Sequence, residues 1–288
     1  MLSSSNLETI KRINNLELRL KCDRFGQTIV SHQYTAYPLR VSQVFRLDDA
    51  DSQRAYLYVM STSPGLLAGD ELNVSLQLAA NTSLYLTDQA ATKVHSMPIP
   101  GSKATTNYEI EIGEKATLEF VPEPLILFAD ATLEQTTSIK IHPTGKLFLS
   151  EIILPGRLSR GELYQFHHYF NRLQVTSTNG ELWFTDAMHL EGKQNPFTNS
   201  NLFASSPVLG NLIIVLPETN LKLLSKSVED LEVANCCGLT VASSILPQNR
   251  GLLIRAIASG THELKNYLKY ALNCVRRSSH QPPLPDNL

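Results

Sequence analysis

One β phrase recurs three times along this chain, and its recurrence narrows the fold to stacked layers of strands. The phrase is apolar-x-apolar, a polar turn, then apolar-x-apolar. It occurs as Leu76-x-Leu78 with Leu84-x-Leu86, as Ile110-x-Ile112 with Leu118-x-Phe120, and as Ile139-x-Ile141 with Leu147-x-Leu149. Alternation of this kind turns one face of each strand toward a core. The linking stretches, Ala79–Ser83, Gly113–Thr117 and His142–Lys146, have turn composition. A weaker fourth copy, Leu173-x-Val175 with Leu182-x-Phe184, carries one extra turn residue. Equal units repeated roughly every 30 residues can stack and share one core. The expected fold is mainly β, with stacked or helical layers of strands built from repeated hairpins. The polar exits of the hairpins then fall on one edge of the stack.

The rest of the chain fits one mainly-β unit over residues 1–288, with flexible ends at 1–15 and 279–288. Leu16, Leu18, Leu20 and Cys22 alternate with polar residues and predict an opening strand. Further strands are expected near Thr28–Val30, Leu39–Phe45, Tyr56–Met60, Leu163–Phe170, Leu182–Leu190, Leu212–Leu216, Leu239–Leu246 and Leu252–Ala258. Gly192–Ser206, rich in Asn, Ser, Gln and Pro, reads as an exposed excursion. Helical spacing of Leu221, Leu224, Val228 and Leu231 suggests one helix. A second, over Thr261–Arg277, takes Thr261 as N-cap and Glu263 in its first turn, where the dipole favours an acid. Leu264, Leu268, Ala271, Leu272 and Val275 form its apolar stripe.

Composition excludes several functions. With 25 basic and 27 acidic side chains, the net charge of -2 gives no basic footprint for nucleic acid. No stretch approaches the roughly 18 apolar residues of a membrane span, and no secretory signal is visible at Met1–Asn6. A cytoplasmic location is expected. Cys22, Cys236, Cys237 and Cys274 make no Cys-x-x-Cys; they read as reduced thiols, the adjacent pair pointing to opposite faces of a strand. No nucleophile elbow, P-loop, dinucleotide fingerprint or His-Glu-x-x-His helix occurs. His167-His168 is the close histidine pair, and alternation sends the two rings to opposite faces, so one ion cannot easily bind both.

The exits carry the distinctive residues: Leu86-Thr87-Asp88-Gln89-Ala90-Ala91-Thr92-Lys93, then Phe120-Val121-Pro122-Glu123-Pro124-Leu125-Ile126, then Leu149-Ser150-Glu151-Ile152 running through Arg157 to Arg160-Gly161-Glu162. Asp88 and Glu151 each lie two residues beyond the last repeat position, and Glu123 three beyond. Stacking brings these acids toward one another. Oxygen donors of this kind hold a divalent cation weakly, and weak binding suits a conduit, since a transported ion must also leave. Alternatively, the acids brace loop amides or pair with Lys93, Arg157 and Arg160.

With Ser63-Pro64-Gly65 and Gly69-Asp70 upstream, these segments in this order resemble the UreD (also UreH) family of urease accessory proteins, over about Leu16 to Arg277. The resemblance implies a non-enzymatic, mainly-β scaffold without a tightly bound cofactor. It implies binding of apo-urease on one side and of UreF on the other, with UreF recruiting the GTPase UreG, and nickel in transit through an internal path. On this reading Asp70, Asp88 and Glu151 border the path and Glu162 stands at one mouth. Thr87, Gln89 and Thr92 add neutral oxygen donors, Lys93 limits negative charge, and Glu123 and Arg157 belong to the motif segments. A different class, a β-stacked carbohydrate-active enzyme using paired carboxylates, also fits stacked acids, although Trp183 is the sole tryptophan for a sugar platform. A plain structural binding module is a third reading.

Overall fold

A computed structural model describes residues 13–48, 53–194, 199–230 and 238–285. In chain order the strands of the first half are β1 (Leu16–Cys22), β2 (Thr28–Thr35), β3 (Leu39–Val41), β4 (Ala55–Ser61), β5 (Glu71–Leu78), β6 (Ser83–Asp88), β7 (Thr92–Val94), β8 (Ala104–Ile112), β9 (Thr117–Phe120) and β10 (Leu125–Leu127). There follow β11 (Thr132–Ile141), β12 (Lys146–Leu154), β13 (His168–Ser177), β14 (Leu182–Leu190), α1 (Asn201–Ser205), β15 (Val208–Val215), α2 (Leu221–Glu229), β16 (Leu239–Ile245), β17 (Gly251–Ala258) and α3 (Thr261–Ser278). The fold is mainly β, with α2 and α3 near the C-terminus. Cys236, Cys237 and Leu231 lie outside the described residues.

The repeated positions stack in register. Leu76 pairs with Ile110, Ile110 with Ile139, and Ile139 with Val175. In the facing sheet Leu84 pairs with Leu118, and Leu118 with Leu147. The connection within each repeat differs from a hairpin. β5 lies in a seven-stranded sheet and β6 in a ten-stranded one, and the same holds for β8 and β9 and for β11 and β12. Each turn is therefore an arch between sheets, and the strands pair in parallel with the next layer. The reason lies in the alternation. An arch points the apolar residues of both arms at each other and seals one core, and the backbone finds its partners one layer away. The corners stack as well, with Gly113 N donating to Leu78 O and His142 N to Ile112 O, both at 2.8 Å. The fourth copy is the true hairpin. β13 and β14 pair antiparallel within one sheet, with a register shift at Val175/Thr176 that takes up its extra residue.

After each arch the exit forms a third, short side of the coil. β7 pairs with β10, and β10 with the end of β12, all parallel. Leu66 bridges to Val94 one layer earlier.

Two cores flank the ten-stranded sheet. Its inner face packs Leu84, Leu86, Leu118 and Leu147 against Leu76, Ile110 and Ile139 of the other sheet. Its outer face packs Tyr85, Phe148 and Ile254 against α2 and α3. Leu264, Leu268 and Leu272 are all buried there, at about 1.5–3 kcal/mol each before ordering costs. In α3, Gly260 rather than Thr261 holds the cap position, without a side-chain cap bond. Arg276 in the last turn of α3, where a basic residue suits the carboxyl end of a helix, is fully buried. Arg276 and Arg54 lie between Asp48 and Glu119: Arg54 Nε to Asp48 at 3.2 Å, Arg54 Nη1 to Glu119 at 2.8 Å, Arg276 Nη2 to Glu119 at 2.6 Å, and Arg276 Nη1 to Asp48 at 3.3 Å. Tyr56 donates its hydroxyl to Asp48. The segment after α3 joins this group. Gln281 accepts from Arg54 at 2.7 Å, the Pro283 carbonyl accepts from Arg276 at 3.1 Å, and Leu284 is buried.

Candidate functional site

The exits meet a cavity inside the stack. On the ten-stranded sheet the inward series Leu84, Leu86 continues to Asp88 on β6, and the inward series Leu147, Leu149 continues to Glu151 on β12. On the facing sheet the matching rows are Leu72, Thr106, Gln135 and Asn171, and Val74, Tyr108, Thr137 and Leu173. Between them lies a cavity of about 350 Å³, with lining residues from each layer, from Ser61 and Gly65 at one end to Asp186 and Asn211 at the other. Asp88, Gln89, Thr92, Lys93, Glu123 and Glu151 all line it. β9 separates the strands of Asp88 and Glu151, a step of roughly 10 Å at two inter-strand spacings.

The two acids sit in different surroundings. Glu151 accepts from Gln135 Nε2 at 3.0 Å, Tyr169 OH at 2.5 Å, Asn171 Nδ2 at 3.1 and 3.0 Å, and Asn211 Nδ2 at 3.0 Å. These neutral donors, drawn from three strands, hold its side chain in place. Asn211 in turn accepts from Arg255, which also pairs with Asp186 at 2.8 Å. Asp88 has less support. Burial pushes its carboxyl up to about 7; the Glu123 backbone amide opposes this and the Glu123 charge adds to it. Burial, then the charges of Asp88 and Glu151, push the Tyr108 phenol well above its usual range. The cavity thus carries one carboxyl held by several hydrogen bonds and one that burial pushes up to about 7.

Other sequence-selected residues lie elsewhere. Thr87 points to the opposite face of β6 and donates to Val121 O at 2.6 Å. Asp70 Oδ2 accepts from Leu67 N at 2.7 Å and braces its own loop. Glu162 pairs with Arg157, whose guanidinium lies 4.4 Å above the Phe128 ring. Neither Asp70 nor Glu162 is among the cavity-lining residues. Glu123 lines the cavity and also receives Lys265 of α3 at 2.5 Å. The Ser-Pro-Gly loop lies directly on the first exit, with Leu66 N donating to Lys93 O at 2.7 Å and His95 N to Leu66 O at 2.9 Å. A Cβ on Gly65 would stand 2.4 Å from the Lys93 carbonyl, so only glycine fits that approach.

Sequence reasoning missed Thr106, Tyr108, Gln135, Asn171 and Asn211. A signal was present: stepping back by two from Ile110, Ile139 and Leu173 along each inward stripe reaches Tyr108, Thr137 and Asn171. Among the histidines, His167 faces Asp130 at 3.4 Å, while His168 meets His189 of the neighbouring strand at 3.0 Å. Burial and then the His189 charge hold His168 below the usual histidine range.

Residues 14–287 match the model of the UreD urease accessory protein family. The chain belongs to the UreD family. It is 58% identical over 272 residues to the urease accessory protein UreD of Trichodesmium erythraeum, covering 94% of this chain and 98% of that protein. It is 28% identical over 274 residues to the UreD of Haloarcula marismortui, with 94% and 88% covered, and 25% identical over 279 residues to UreD 2 of Brucella abortus, with 95% and 90% covered. The role is accessory to urease and not enzymatic. No helix among the described residues is long and apolar enough to cross a membrane.

Proposed function

We propose that this UreD-family chain serves urease maturation as a cytoplasmic scaffold that holds apo-urease, receives UreF and through it UreG, and passes nickel to the urease site. The observation that carries the reading is the cavity with lining residues from each layer of the stack, where Asp88 and Glu151 occupy equivalent exit positions. Asp88 and Glu151 offer oxygen donors to a hydrated ion, and Gln89 and Thr92 add neutral ones. Lys93 offsets part of the negative charge. Such a lining lowers the barrier to a divalent ion without trapping it. Asp70 and Glu162 keep their loops in place at the third side of the coil. UreF docks on the C-terminal third, where α2 and α3 cover one sheet, and urease on another face. In a clean deletion strain, urease is expected to be synthesised but nickel-poor and inactive, and affinity capture of this chain is expected to bring urease subunits and UreF. Full urease activity in the deletion strain would exclude the function.

A further inference from the structure

The outer face of the seven-stranded sheet carries a second group of metal-ligating side chains, outside the cavity. β13 and β14 pair with Tyr169 opposite Leu190 and Phe170 opposite His189. Tyr169 and Leu190 are buried, so His168, His189 and Glu191 emerge together on the opposite, outer face. His168 Nδ1 and His189 Nε2 are 3.0 Å apart, and His189 Nε2 lies 3.5 Å from Glu191 Oε1. One donor atom from each of the three residues falls within 4.8 Å of the others. Two nitrogen donors each ~2.0–2.1 Å from one ion stand ~2.9–3.4 Å apart, which the histidine pair already matches. Lys103, whose charge acts on His168, is held by Glu134 at 2.6 Å, so its charge is largely offset. We propose that His168, His189 and Glu191 form a binding site for a borderline divalent cation of the nickel and zinc class, with the remaining positions filled by water. The donor set is two imidazoles and one carboxylate, the chemistry such ions prefer over calcium or magnesium. The site is independent of the conduit reading. It lies across the sheet from the cavity, although Tyr169, next to His168, reaches Glu151 on the inner side.

The test is isothermal titration of the purified full-length, tag-free chain with Ni²⁺ alone at neutral pH, in parallel with the variants. One site in the wild type is expected to weaken at least about tenfold in His168→Ala and in His189→Gln, a loss on the scale that even outer-shell partners bring. The Asp88→Asn, Glu151→Gln double variant is expected to keep this site. Circular dichroism melts of the exposed His189→Gln variant confirm that it is folded. With Co²⁺ as a spectroscopic probe, the ligand-field bands are expected in the wild type and lost in the histidine variants. A wild-type chain that binds no Ni²⁺, or binding unchanged in both histidine variants, would overturn the proposal. Loss of the site only in the Asp88, Glu151 double variant would place the ion in the cavity and overturn it equally.

Discussion

Asp88 ends an apolar stripe, and its position explains its chemistry. Leu84 and Leu86 before it point inward, so Asp88 must follow them into the cavity, where burial raises its carboxyl from 3.8 to about 7. The folded state therefore holds this proton more tightly than the unfolded chain. The associated stability is fully present below about pH 4 and is lost as pH rises to 7. Asp88→Asn removes that titration. Its advantage over the wild type in urea unfolding is expected to be small near pH 4, to grow up to pH 7, and to stay level above it. An advantage that did not change with pH would contradict the assignment. Gly65 offers a second residue test. Alanine there combines a strained backbone with a clash on the Lys93 carbonyl, and is expected to cost roughly 1–3 kcal/mol in denaturant unfolding. These two roles differ in how far the sequence reveals them. Asp88 and Glu151 were legible, because alternation and the repeat put both at the same exit position. Tyr108 and Asn171 carried only the weaker signal of their place on the inward stripes, because a polar residue on an inward strand position looks like the end of a strand until the facing sheet is known.

At the scale of elements, the repeat fixed the layers but not the path between them. Apolar alternation in Leu76-x-Leu78 and Leu84-x-Leu86 is equally compatible with a hairpin and with an arch, since both bury one face of each arm. The choice depends on which neighbour satisfies the backbone, and that neighbour is a layer away in the sequence. The third side of the coil was hidden for the same reason, since β7 and β10 are three residues each and have no periodicity of their own. In α3 the stripe from Leu264 to Val275 was plain from its spacing. Arg276 was not, because burial of a cation requires partners on distant elements, here Asp48 and Glu119. Removing one member of such a group leaves an opposite charge buried and unpaired. Arg276→Ala is accordingly expected to lower stability by about 3–5 kcal/mol and to release the Gln281–Leu284 segment. Wild-type unfolding midpoints and unchanged proteolysis of that segment would show the network to be dispensable.

Over the whole molecule, the layers share one inner core, and both sheets contribute to it. Helices α2 and α3 close the outer face of the ten-stranded sheet. We propose that the chain unfolds as one unit, with coincident fluorescence and circular dichroism transitions in urea; two separated transitions would divide it into domains. That continuity is what allows a cavity to run along the stack, and the central claim is that the cavity passes nickel. The most direct measurement is the rate of urease activation under limiting nickel with the combined Asp88→Asn, Glu151→Gln variant, in complexes whose assembly has been verified by size-exclusion chromatography. The account predicts intact complexes and clearly slower activation than with the wild type. Activation at the wild-type rate would contradict it, and would leave Asp88 and Glu151 as structural residues of a scaffold that delivers nickel by another route.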